Sequence, residues 1–214
     1  MDKMGEWKIR SVIYDCDGVL FDSLEANTRL YNDLCLLAGR APLREEEMRY
    51  VHTHTMYESI HFLFGHEDRL EKKALELLRQ VDLRKYIVYL KMEPHLRDTL
   101  NRLKEKEILR AINTNRTTSM KYIMERFDLR PYFEMVVTAL DVKHPKPHPE
   151  SIEKILQGFQ LSREEVVFIG DSEVDHQTAL TSGIQFIAYK NREIHTDIHI
   201  EDHLDVLSFI NTNQ

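Results

Sequence analysis

An α/β fold built on a doubly wound parallel sheet, with a helical domain inserted after the first strand, is what this sequence predicts. Three observations predict it. Five short apolar runs lack the alternation of half-exposed strands, as expected where both faces of a parallel sheet are covered. Helical patterns separate the later runs, which implies right-handed βαβ units. The segment from 22 to 92 breaks this rhythm with helical periodicity alone.

The first run, "SVIY" at 11–14, leads directly into Asp15. The insertion follows, read as "EANTRLYNDLCLLAG", "EEEMRYVH", "MYESIHFLFG" and "EDRLEKKALELLRQV", punctuated by Gly39, Pro42 and Gly65. No strand is expected there. "MEP", ending at Pro94, returns the chain to the sheet, and "HLRDTLNRLKEK" is the first core helix. Strands then follow at "ILRAINT" (108–114), "EMVVTA" (134–139), "VVFIG" (166–170) and "IQFIAY" (184–189). Between them lie the helices "TTSMKYIMERF", "PESIEKILQGF" and "EVDHQTALTSG". The tail, "HTDIHIEDHLDVLSFI", offers at most one weak strand and a final helix. The expected division is a core of 1–21 and 93–214 around a helical domain of 22–92.

Composition narrows the function classes. Apolar residues make up 42% and charged residues 30% of 214, an ordinary globular balance. The net charge of −7 argues against nucleic acid as the main partner, because phosphate backbones are bound by clustered Lys and Arg. No apolar run approaches the ~18 residues that span a membrane, and "MDKMGEWKIR" has no signal-peptide character. Cys16 and Cys35 stand at no zinc-type spacing and point to a reducing compartment. The eleven histidines look scattered, with no pair beside zinc-type partners. The expectation is a cytoplasmic monomer.

In open α/β sheets ligands bind beyond the carboxyl ends of the strands. The first strand ends in Asp15-Cys16-Asp17-Gly18, where two-residue alternation puts both acids on one side; a plain Asp-Gly turn explains the stretch equally well. The second ends in Thr114-Asn115-Arg116 before a helix, which suits a phosphate or simple capping. Arg116 follows the Thr-Asn pair as a candidate substrate contact, with ordinary surface exposure the favoured reading. In "DVKHPKPHPESIEKIL", three prolines constrain Lys146, whereas Lys143 reads as a solvated loop lysine. The fourth strand ends in Asp171, with Asp175 one helical turn on. Each signal is ambiguous alone. Together, three carboxylates, a hydroxyl and a lysine converge on one edge. Crowded like charges call for a cation, and a few carboxylates with all-oxygen ligation suit Mg²⁺.

The ordered motifs "DCDGVLFDS", "NTN", "KPHPE" and "GDSEVD" resemble the haloacid dehalogenase superfamily, in its phosphoglycolate phosphatase and β-phosphoglucomutase-like branch. The resemblance covers nearly all of the chain. It implies a Rossmann-like core, a helical cap over residues 22–92, and an aspartyl-phosphate mechanism with Mg²⁺. Asp15 resembles the nucleophile and Asp17 the general acid and base. Thr114 and Asn115 match phosphate-binding positions, and Lys146 matches the charge-neutralising lysine. Asp171 and Asp175 match the metal-binding acids, joined by Asp15 and the backbone carbonyl of Asp17. Cys16 departs from the bulky apolar residue usual between the two acids, and Asn113 is a polar residue ending an apolar strand.

Asp17 disfavours the dehalogenase branch, which resembles a chain without that acid. A phosphonate-cleaving reading needs a lysine early in the cap, and 22–51 contains none. The runner-up is a β-phosphoglucomutase-like phosphomutase, whose cap loop resembles Leu-Lys-Gly-x-Ser-Arg. Here the stretch is "VHTHTM", with His52 for the lysine, Thr53 for the glycine and Met56 for the arginine. A second phosphate would need a clamp such as arginine. Water is therefore the expected acceptor, and a small phosphorylated metabolite the expected substrate. A non-catalytic binding protein on the same fold is the alternative from another class. His52 and His54 are the candidate specificity residues, with surface histidines in a helix connection as the equal alternative.

Overall fold

The computed structural model describes residues 8–210, except that the side chain of Thr53 lies outside the described residues. The chain divides into two compact units, one of residues 1–21 and 92–214 and one of residues 22–91.

In the first unit the apolar runs form β1 (Ser11–Tyr14), β4 (Leu109–Asn113), β5 (Met135–Val137), β6 (Val166–Gly170) and β7 (Gln185–Tyr189). A sixth strand, β8 (His199–Ile200), comes from the tail. They form one sheet in the order β5-β4-β1-β6-β7-β8, with parallel pairing throughout. β1 and β6 are buried along their whole length, which is why their sequences do not alternate. The chain runs outward from β1 to β5, then returns beside β1 and runs outward again to β8. The reversal makes the carboxyl end of β1 a topological switch point.

Register decides what meets there. Tyr14 pairs with Ile112 on one side and Ile169 on the other. One residue further, Asp15 is level with the ends of β4 and β6, and its N–H donates to Ile169 at 2.9 Å. Thr114 and Asp171 leave their strands at the same edge. Helices α6 (Leu96–Glu105), α7 (Ser119–Arg126), α8 (Glu150–Phe159) and α9 (Glu173–Ser182) occupy the connections. α8 buries Ile152, Ile155 and Leu156 at helical spacing against Ile13, Ala111 and Phe168. Each such side chain contributes about 1.5–3 kcal/mol of burial. The tail ends in a 3-10 helix, His203–Phe209.

The second unit is helical: α1 (Leu24–Ala38), α2 (Glu45–Thr53), α3 (Met56–Phe64), α4 (Asp68–Gln80) and the short α5 (Arg84–Ile87). α1 stops at Gly39, whose φ of 91° allows its N–H to reach back to Leu36 and that of Arg40 to Cys35. Thr55 opens α3 through a capping box with Glu58. Glu47 is buried and held by both Arg40 and Arg44. The expectation of no strand in 22–92 is corrected at both margins, where β2 (Phe21–Asp22) and β3 (Lys91–Met92) pair as a two-stranded ribbon. Among the described residues no helix is long and apolar enough to cross a membrane.

Candidate active site

The carboxyl end of the sheet gathers the acids around one lysine. Lys146 Nζ donates to Asp15 Oδ1 and to Asp175 Oδ1, each at 2.6 Å. All three side chains are nearly inaccessible. Asp175 is held from its other oxygen by the hydroxyl of Ser172 at 2.6 Å, within the capping box of α9. Asp171, at the tip of β6, completes the cluster. One carboxylate oxygen each from Asp15, Asp171 and Asp175 lies within 4.8 Å of the other two.

Two glycines make room for this crowding. A Cβ at Gly18, where φ is 72°, would lie 1.8 Å from Asp171 Oδ2, and one at Gly170 would lie 2.3 Å from the Asp175 Cβ. Only glycine fits either place without moving a carboxylate.

The electrostatics are those of a cation site. Burial, then the charge of Asp175, raises Asp15 above the usual carboxylate range, against the pull of Lys146. Burial, then Asp175 and Asp15, pushes Asp171 up as well. Burial opposes the charge on Lys146, but the two carboxylates more than offset it and hold the ammonium above its ordinary range. Three convergent carboxylates, with one lysine to share among them, fit a hard divalent ion bound through oxygen.

Thr114 is buried, and its Oγ1 accepts from the Arg116 N–H at 3.1 Å. The hydroxyl hydrogen is left to donate elsewhere. The side chain of Asn115, read from sequence as a phosphate contact, instead grips the main chain of Lys146. Its Nδ2 donates to the Lys146 carbonyl and its Oδ1 accepts from the Lys146 N–H, both at 3.0 Å. That clamp positions the lysine. Cys16 is fully buried, and burial pushes its thiol well above the ordinary range.

The partner of Arg116 is what the sequence reading missed. Arg116 is not a surface arginine: its guanidinium is largely enclosed and forms a two-pronged bond to Asp17, Nε to Oδ2 at 2.7 Å and NH2 to Oδ1 at 2.6 Å. Burial opposes its charge, and the Asp17 carboxylate more than restores it. The side chain of Asp17 is thus engaged by Arg116, outside the three-acid cluster. The two residues are far apart in sequence, and only the pairing of β1 with β4 makes them neighbours.

His52 and His54 lie in the helical unit. α2 continues through Thr53, so His52 belongs to its last turn rather than to a connecting loop. His54 stacks on Tyr50 with centroids 3.7 Å apart and places Nδ1 2.9 Å from the Tyr50 carbonyl. The histidines are less scattered than the sequence suggests: His144 and His148 each bring a ligand atom within 4.8 Å of the other and of Glu150. The spacing His-x3-His-x-Glu was the available signal.

Residues 12–189 match the sequence model of the family described as haloacid dehalogenase-like hydrolase. The solved structure of a HAD-superfamily hydrolase, subfamily IA, variant 1, from Geobacter sulfurreducens PCA is 35% identical. It covers 98% of this chain and 100% of its own, with a TM-score of 0.81. A phosphoglycolate phosphatase of Salmonella choleraesuis is 28% identical over 86% of this chain and 81% of that protein. The pyrophosphatase PpaX of Oceanobacillus iheyensis is 21% identical over 94% of this chain and 97% of that protein. With the family match spanning most of its length, and with relatives that carry phosphatase names, the chain belongs to the haloacid dehalogenase-like hydrolases.

Proposed function

We propose that this chain is a magnesium-dependent phosphatase that hydrolyses a small phosphorylated metabolite through an aspartyl phosphate on Asp15. The observation that carries the proposal is Lys146 Nζ at 2.6 Å from both Asp15 and Asp175, beside a third carboxylate that can share an ion with them. Asp15, Asp171 and Asp175 would hold Mg²⁺, with the backbone carbonyl of Asp17 as a further ligand, and the ion would supply charge neutralisation for the phosphoryl oxygens.

Asp15 attacks phosphorus, and its new O–P bond forms as the bond to the leaving oxygen breaks. Asp17, carrying a proton and turned from its two-pronged bond to Arg116, protonates that oxygen. It then accepts a proton from water, which attacks the same phosphorus, breaks the bond to Asp15 and releases inorganic phosphate. Splitting hydrolysis this way eases each step. Thr114 and Lys146 bind the transferring phosphoryl group, Asn115 steadies Lys146, and Arg116 positions Asp17. Residues 22–91 act as a cap that selects the leaving group, with His52 and His54 as the specificity residues. The reading is of a monomer in the cytoplasm, in keeping with two buried, unpaired cysteines.

The names of the relatives make phosphoglycolate and pyrophosphate the first substrates to assay, followed by sugar phosphates and nucleotide monophosphates. Phosphate release from one of these that requires Mg²⁺ and is lost in Asp15→Asn supports the proposal. Release indifferent to chelator, or retained by the variant, overturns it.

A further inference from the structure

We propose that His144, His148 and Glu150 form a second metal site, for a borderline divalent transition ion such as Zn²⁺, on the solvent side of the loop that carries Lys146. One ligand atom from each residue lies within 4.8 Å of the other two. His144 Nδ1 is 3.0 Å from Glu150 Oε2, and the two imidazole centroids are 4.7 Å apart. Zinc binds His nitrogen and carboxylate oxygen at about 2.0–2.2 Å, so tetrahedral ligand atoms stand roughly 3.3 Å apart. The contraction needed from the observed spacing is within reach of side-chain rotation.

The loop is built to hold such a set in place. Pro145, Pro147 and Pro149 alternate with the residues around them, and each fixes its φ. The Glu150 carboxylate accepts from the N–H groups of Lys143 at 2.8 Å and His144 at 3.0 Å. The inner side of the loop is clamped by Asn115. A ligand set ordered beforehand loses little freedom on binding. His148 Nδ1 accepts from the Glu150 N–H at 3.2 Å, which fixes the ring and leaves its Nε2 as the nitrogen that would ligate an ion. Both histidines are exposed, so an ion has an entry path and water can complete its shell.

Ligand chemistry separates this site from the carboxylate cluster. Imidazole suits Zn²⁺, Cu²⁺ and Ni²⁺, whereas oxygen-only ligation suits Mg²⁺. The two sites lie on opposite sides of one short loop, with His144 and His148 each two residues from Lys146. The inference concerns binding and stands independently of whether the chain hydrolyses a phosphate ester.

The test is a Zn²⁺ titration of the full chain against a chromophoric chelator, with millimolar Mg²⁺ present to fill the carboxylate cluster. The expected result is one Zn²⁺ per chain with micromolar affinity. His144→Ala and His148→Ala should each weaken it by about tenfold or more and leave the zinc-free melting temperature unchanged. Co²⁺ in place of Zn²⁺ should give a visible absorption band that the same variants lose. Asp15→Asn should leave the zinc affinity intact. A double variant His144→Ala/His148→Ala that binds as the parent does would overturn the proposal. So would a loss of zinc in Asp15→Asn, or a parent chain with no saturable binding at micromolar zinc.

Discussion

Asp15 and His54 were both singled out from short stretches of sequence, and the molecule treats them differently. Asp15 stands at the end of a strand paired on both sides, where backbone register sets its height against Thr114 and Asp171. His54 follows a helix end and is held by its own neighbourhood, stacked on Tyr50, which in turn stacks on Phe62. A parallel ladder converts positions distant in sequence into neighbours in space. A helical unit joined by turns gives a residue an address on its own helix and little more. Chemistry at strand ends can therefore be read from motif order, whereas specificity in the helical unit depends on side-chain packing.

The largest expected effect tests the strand-end cluster directly. Asp15→Asn should lower turnover by at least about 10⁴-fold, as loss of a nucleophile does when the site acts as a unit. Single-turnover assays with a responsive phosphate ester would measure it, and a smaller loss would mean that register had brought the wrong acid forward. Removing divalent ions with a chelator should abolish activity to a similar extent, with recovery on adding Mg²⁺.

Arg116 sharpens the comparison, because it belongs to the same edge yet its partner was invisible in sequence. Arg116→Gln should lower kcat by roughly 10–100-fold, less than the about 10²–10⁴-fold a general acid and base supplies, because Asp17 itself remains. It should also alter the pH profile, with partial recovery in Arg116→Lys. An unchanged pH profile would reduce the Asp17 contact to a structural ion pair with no part in proton transfer.

A stability measurement probes the sheet unit away from its carboxylates. His203 is fully buried, donates from Nε2 to the Val19 carbonyl at 2.8 Å and stacks on Tyr189. Burial lowers its pKa to about 4 from an ordinary 6.5. The folded state thus disfavours the protonated ring. Its contribution is fully present above pH 6.5 and is lost as pH falls toward 4, a change of about 3 kcal/mol. Urea unfolding between pH 7.5 and 4.5 should show that slope, and His203→Phe should flatten it. Equal slopes would mean that other groups carry the acid sensitivity.

The smallest effect is expected in the helical unit. His52→Ala and His54→Ala should change catalytic efficiency by a few-fold, on some substrates and not others. Equal efficiency on every substrate tested would remove both from the specificity proposal. A loss as large as that of Asp15→Asn would erase the contrast between the two regions.

The legible parts of this protein share one property: each is encoded locally. The five apolar runs became strands because an unbroken apolar run suits a strand covered on both faces. Four motifs in order, three at strand ends and one just before α8, pointed to acids and a lysine that the sheet's edge brings together. Asn115 was noticed for the wrong contact, because a side-chain amide near a strand end can face either a ligand or a neighbouring main chain. Arg116 was read as exposed because arginine usually is, and no local pattern reveals a partner on another strand.

The sequence by itself determined the order of elements, the helical insertion and the residue types at the sheet's carboxyl edge, since periodicity and chain order are properties of the one-dimensional chain. Tertiary structure alone decided that Lys146 divides its charge between Asp15 and Asp175 and that Arg116 holds Asp17. Those are relations between segments brought together by strand register and proline-constrained turns. Their distances follow from the whole sheet rather than from any stretch of it.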